Sequence, residues 1–305
     1  WITEENDAGK TVYSLDNNCG VFAGATYDWQ ILNGEAVVAS GTFETSAGDP
    51  IENGDMSQWC ETKEMLPLFG SKKITVWYPG SSWSDSTPGF WDSSNNAGNK
   101  TACTQDKTKN ASCAWLQASG VSLVGALASG SLFTGTFTYA NMNGTASFGQ
   151  KYKYTARPTA LRLKYHATLG TVNYNKHNGP LEKDKDIMDQ CSFTVCIVDW
   201  DTRHDVQSGT SAPKGIWDPI TMGELPVDKQ NGIIGYGVKY SSENTPGTDL
   251  IPLEIPIKYY QQTNAAPDGE NKFTIIISVS TSRYGDYLNG CDKNKIYVDD
   301  FEWVY

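Results

Sequence analysis

Basic residues are scarce in this chain. Lys and Arg number 24 against 35 Asp and Glu, a formal net charge of −11 over 305 residues. Nucleic acid and anionic membranes are bound through a basic face, so neither is an expected partner. Histidine is rarer still: His166, His177 and His204 are the only three. None has the spacing of a zinc pair, and each reads as a surface or loop residue. Long apolar runs are missing, none approaching the roughly twenty residues of a membrane-spanning helix. The chain has no GxGxxG, phosphate-binding loop, HExxH, paired CxxC, GxSxG elbow or EF-hand loop. Nucleotide cofactors, zinc hydrolysis and a hydrolase-fold serine triad are thereby disfavoured. Convincing helix is also lacking; the nearest candidate, residues 181–190, is short and charged.

What is abundant is aromatic: ten Trp and sixteen Tyr, with aromatics at 12% and all charged residues at only 19%. Many short β-branched and aromatic runs are divided by Gly, Pro and Asn. That pattern predicts an all-β sandwich or jelly-roll. TALRLKYHATL places Leu161, Leu163 and Tyr165 on one face and Arg162, Lys164 and His166 on the other, as in a half-buried antiparallel strand. CSFTVCIVDWD (191–201) is almost continuously apolar and reads as a central strand. Pro252 and Pro256 consign LIPLEIPIKYY to an edge or to a polyproline-like segment. Seven Cys leave at least one unpaired. Cys103 and Cys113 flank a polar loop and are candidates for a bridge. Cys191 and Cys196, five apart, are expected on opposite faces as small buried hydrophobes.

The end of the chain carries the strongest pattern. FTIIISVSTS and KIYVDDFEWVY flank a turn-rich loop, a strand–loop–strand signal. In the second run Ile296 and Val298 keep one phase while Phe301, Trp303 and Tyr305 keep the other. One extra residue at Asp299-Asp300, a β-bulge, returns all five to one face.

RPTALRLKY (157–165), ISVSTSRYGDYLNG (277–290) and the ending YVDDFEW together resemble the PCMD family, the "putative carbohydrate metabolism domain". GSLFTGTF (130–137) and IIGYG (233–237) fall where that family's patterns place them. The resemblance covers roughly residues 51 to 305. It implies a jelly-roll similar to galactose-binding-like carbohydrate modules, in a secreted or outer-membrane surface protein, often a lipoprotein, of glycan-degrading gut bacteria. The chain begins at Trp1 rather than Met, so a removed leader is expected, through which a lipid anchor is possible. Residues 1–50 read as an N-terminal β segment or the remnant of a preceding module. Residues 51–305 read as the jelly-roll, the boundary falling in AGDPIENGD.

A glycan is the expected partner. Sugars present an apolar C–H face and a polar rim, so stacked rings bordered by Asp, Asn, Gln or Arg are the sign to seek. The polar stretch 81–113, a loop of a length often tied to function, carries Trp83, Phe90 and Trp91, with Trp77 and Tyr78 just before it. These rings, with Trp217, are candidate sugar platforms; the alternative is that they fold back and staple the loop to the sheet. The resemblance adds Asp286, in RYGDY. A glycosidase would need two carboxylates roughly 5–10 Å apart, and Asp199 and Asp201, at i and i+2 by a strand end, are the candidates, with solvated acids as the alternative. Many jelly-roll carbohydrate modules hold a structural Ca2+ between their first and last strands; the corresponding residues are Asn53, Asp55, Asp299 and Asp300. The first reading is therefore non-catalytic carbohydrate binding. A glycoside hydrolase and a structural or adhesion module that binds protein are the alternatives.

Overall fold

A computed structural model describes residues 2–5, 8–9, 11–14, 23–65, 73–84, 88–97, 102–152, 157–218, 220–260 and 273–305. Among the described residues of the first fifty, two hairpins lie outside the main sheets. β1 (Ile2–Glu5) pairs with β2 (Thr11–Ser14), and β3 (Thr26–Asn33) with β4 (Ala36–Glu44). The chain then crosses to the main body, where Tyr152 Oη donates to the carbonyls of Asp49 and Pro50 at 2.6 and 2.9 Å. β5 (Trp59–Met65) and β6 (Lys73–Pro79) form a third hairpin.

The expected long loop is broken up by short elements: β7 (Trp91–Asp92), a 3-10 turn at Ser94–Ala97 and β8 (Cys103–Asp106). β9 (Cys113–Gln117) closes a hairpin with β8. β10 (Ser119–Val121) and β11 (Ala126–Ala128) make a small flap. β12 (Ser131–Ala140) returns as β13 (Asn143–Phe148) through Asn141-Met142, both at positive φ, as a primed hairpin turn requires. The remaining strands are β14 (Gln150–Lys151), β15 (Ala160–Thr168), β16 (Tyr174–Asn175), β17 (Cys191–Trp200) and β18 (His204–Gly209). After the one-turn helix α1 (Val227–Asn231) come β19 (Ile233–Ser241), β20 (Ile251–Pro256), β21 (Lys258–Tyr259), β22 (Phe273–Ser280), β23 (Asn289–Gly290) and β24 (Lys295–Val304).

Two antiparallel sheets form a sandwich. The larger runs β18-β13-β12-β22-β17-β19-β21, with β7 and β14 alongside; the smaller runs β20-β15-β24-β9-β8. Alternation explains the core. Phe193, Val195, Ile277 and Val279 of the larger sheet meet Leu161, Leu163, Leu116, Ile296 and Val298 of the smaller. β17 is central and the proline-bearing β20 is an edge, as expected. Cys191 joins this core, while Cys196 joins a second cluster on the other face of β17, with Val198, Trp200, Leu225 and Ile276.

The expected bulge is present. Arg162 pairs with Glu302 and Lys164 with Asp299, so Asp300 and Phe301 together face Leu163. Asp300 takes φ 52° to do it. Ile296, Val298 and Phe301 thereby share the core, with Trp303 packed against it.

Two expectations need correction. Cys103 and Cys113 are free, buried thiols: Cys103 is paired with Leu116 and Cys113 with Asp106, which sets them apart along the hairpin. His166 and His204 are buried rather than exposed. Each has a partner, Thr245 Oγ1 at 2.7 Å and the Gly215 carbonyl at 2.6 Å, and burial lowers both pKa values.

Candidate functional site

The outer face of the larger sheet is polar at its centre. Ser280 of β22 is the cross-strand partner of Ser131 on β12 and of Ser192 on β17, and Ser192 is the partner of Tyr240 on β19. Four hydroxyl side chains thus lie in one row across four strands. The next row holds Phe133, Ser278, Thr194 and Val238 by the same registers. Along the hydroxyl row the side chains are polar outward because there the inner face alone meets the smaller sheet. The outer face floors a cavity of about 970 Å³.

Segments that line this cavity include three loops. Residues 283–288 bring Arg283, Tyr284 and Asp286; residues 216–224 bring Trp217, Asp218 and Glu224; the β10–β11 flap brings Val121 and Leu123. The Arg283 guanidinium lies 3.6 Å from the Tyr240 ring centroid and 3.8 Å from Asp218 Oδ2, and donates to Gln190 Oε1 at 3.2 Å. The Tyr240 hydroxyl points at Asp218 Oδ2 at 3.4 Å. Burial, and then the Asp218 charge, pushes the Tyr240 phenol up to about 12. As a residue Asp286 is only half-buried, but its carboxyl is desolvated, which pushes it up to about 6.

The segment bearing Arg283 and Asp286 is pinned from beneath by Asp189. Its carboxylate accepts from Ser282 Oγ (2.7 Å), Asn294 Nδ2 (2.7 Å) and the Cys291 (2.8 Å) and Gln190 (2.7 Å) amides. Burial raises its pKa against the pull of those four donors. Gly290, at φ 148°, passes so close that a Cβ there would lie 2.4 Å from Asp189 Oδ2.

Residues 43–304 match the model of the family described as "Putative carbohydrate metabolism domain", PCMD. The chain belongs to the PCMD family. Two solved structures share its fold. One, described as a putative glycoside hydrolase from Bacteroides thetaiotaomicron VPI-5482, is 16% identical with a TM-score of 0.50, over 88% of this chain and 75% of the other. Another, a putative glycoside hydrolase from Bacteroides vulgatus ATCC 8482, is 16% identical with a TM-score of 0.53, over 82% and 96%. No match was found among curated proteins.

In this PCMD chain the sequence-predicted residues scatter. Trp217 and Asp286 line the cavity; Trp77, Tyr78, Trp83, Phe90 and Trp91 do not. Tyr78, Phe90 and Trp91 are buried, and Trp91 Nε1 donates to the Glu52 carbonyl at 2.7 Å, so these rings are the staple rather than a platform. Trp83 lies flat on Tyr78, centroids 3.8 Å apart. The half-buried Trp77 lends its carbonyl to Asn95 Nδ2 at 2.7 Å. Asp199 and Asp201 are exposed and stand outside the cavity. The carboxylates on its wall are Asp218, Glu224 and Asp286. Two of the missed residues sat beside residues already singled out: Asp218 follows Trp217, and Arg283 begins the RYGDY run.

The two segments that carry the four proposed calcium ligands meet in the structure. The Phe301 amide donates to the Gly54 carbonyl at 2.8 Å, and a Cβ on Gly54 would lie 2.3 Å from the Phe301 carbonyl. Each side chain has a protein partner. Asn53 brackets the Gln58 backbone, Asp55 accepts from Ser57, Asp299 accepts from Asn110 Nδ2 at 2.6 Å, and Asp300 meets Lys164 Nζ at 2.8 Å. Among the described residues no three His, Cys, Asp or Glu form a group that could hold a metal ion. Calcium here stands as a proposal, and the ion would have to displace Lys164 from Asp300.

Proposed function

We propose that the cavity on the outer face of the larger sheet binds a glycan, in a surface or secreted protein of bacterial glycan use. The observation that carries this reading is the hydroxyl row Ser131–Ser280–Ser192–Tyr240, with Arg283 and Asp218 beside Tyr240 and with Asp286 and the Trp217 and Tyr284 rings lining the same cavity. A sugar's rim of hydroxyls needs alternating donors and acceptors, and its C–H face needs a ring; the cavity lining supplies both.

Hydrolysis is the second reading, and Asp286 favours it. A carboxyl raised to about 6 keeps part of its proton near neutral pH, as a general acid requires. Asp218 and Glu224 line the same cavity as candidates for the second carboxylate. The family description and the descriptions of the two similar structures agree with either reading.

The test is a glycan panel screened for binding and for sugar release, with Trp217→Ala, Arg283→Ala and Asp286→Asn beside the wild type. Trp217→Ala and Arg283→Ala are each expected to weaken binding at least ten-fold, about 1.4 kcal/mol, while Trp83→Ala leaves it unchanged. Sugar release abolished by Asp286→Asn, with binding retained, selects the hydrolase. Binding untouched by all three cavity variants, or no binding across the panel, sinks the reading.

A further inference from the structure

The cavity lining is of two kinds. One is the hydroxyl row, with Arg283 and Asp218 beside Tyr240. The other, carried by β12 and β13, is apolar. Phe133 and Phe148 pack with ring centroids 5.0 Å apart, and the half-exposed Phe137 ring leans across Gly144, where a Cβ would lie 2.6 Å from it. The lining also carries aliphatic side chains in water: Leu123 of the flap is 97% exposed, Met142 of the β12–β13 turn 44% and Val121 39%. All six line the one cavity.

Single exposed aliphatics are ordinary, but several that line one cavity together with phenylalanine rings mark a surface to be covered. A bare sugar does not cover it. Its hydroxyls would be stripped of water against Phe137 and Leu123 with nothing to pair with, which opposes binding there. The volume also exceeds what one sugar ring needs, for it lies near the top of the roughly 300–1,000 Å³ range of ligand pockets.

We propose that the ligand is an amphipathic glycoside: a sugar bearing an apolar substituent, aryl or acyl in character. The sugar lies on the hydroxyl row, and the substituent lies between Phe137 and the flap tip at Leu123. This rests on the glycan reading above and names its substrate class.

The test is calorimetry on the full chain. Each sugar that binds is compared with its nitrophenyl and octyl glycosides, with free nitrophenol and octanol as controls. At least one glycoside is expected to bind ten-fold or more tighter than its parent sugar, and the nitrophenyl and octyl arms separate a flat substituent from a flexible one. Leu123→Ser, at a side chain already in water, and Phe137→Ala are expected to shrink that gap without changing affinity for the parent sugar. Equal affinities for sugar and glycosides, or a gap that both variants preserve, overturn the proposal and leave the glycan reading standing. Nitrophenol or octanol bound as tightly as the glycosides, or no binding by any compound, overturns both.

Discussion

Asp286 is a carboxylic acid placed where its charge is costly. Its folded-state pKa, about 6, lies above the ordinary 3.8. The folded protein therefore holds this proton more tightly than the unfolded chain does. Stability from this group is fully present below about pH 4 and is lost as pH rises through about 6. Asp299, also pushed up to about 6, first by burial, adds to the loss in the same window. At 1.36 kcal/mol per pH unit, the Asp286 share is roughly 2–3 kcal/mol. Asp286→Asn is expected to be more stable than the wild type by about that amount at pH 7 and equal to it near pH 3.5, measured by urea unfolding. A variant whose stability tracks the wild type at both pH values would show that the Asp286 carboxyl is well solvated. Stability gained where function is lost is the usual mark of a residue kept for its chemistry.

At the scale of elements, patterns of period two were legible and patterns of place were not. The phase slip at Asp299-Asp300 revealed the bulge, and the two prolines revealed the edge strand, because both follow from local backbone rules. The hydroxyl row escaped because Ser131, Ser192, Tyr240 and Ser280 come from four strands whose register is fixed only by pairing. The rings of the polar stretch misled for a related reason. Trp91 looks like loop sequence but enters a two-residue strand on β12 and is fully buried. The junction of residues 51–57 with β24 also belongs to this scale. Lys164 already neutralises Asp300 there, so calcium and the ammonium compete. The expected outcome is a melting temperature that rises with added calcium, and rises further in Lys164→Gln. No dependence on calcium in either protein removes the ion from this junction.

For the whole molecule, the larger sheet serves two purposes with two faces. Its inner face fills the sandwich core, and its outer face carries a second apolar cluster and the cavity floor. The hydroxyl row joins strands that are far apart along the chain, from residue 131 to residue 280. A ligand lying along it touches four strands at once and acts as a removable cross-tie. No fragment that lacks one of those strands holds the whole row, so bound glycoside should favour the intact sheet over every partly opened form. Saturating ligand is expected to slow amide exchange in β12, β17, β19 and β22 together, by roughly 2.7 kcal/mol at a hundred times its Kd. Protection confined to the flap and to residues 283–288 would place the ligand at the rim instead. In a sheet tied this way, the protein would be hardest to pull apart when it is carrying its cargo.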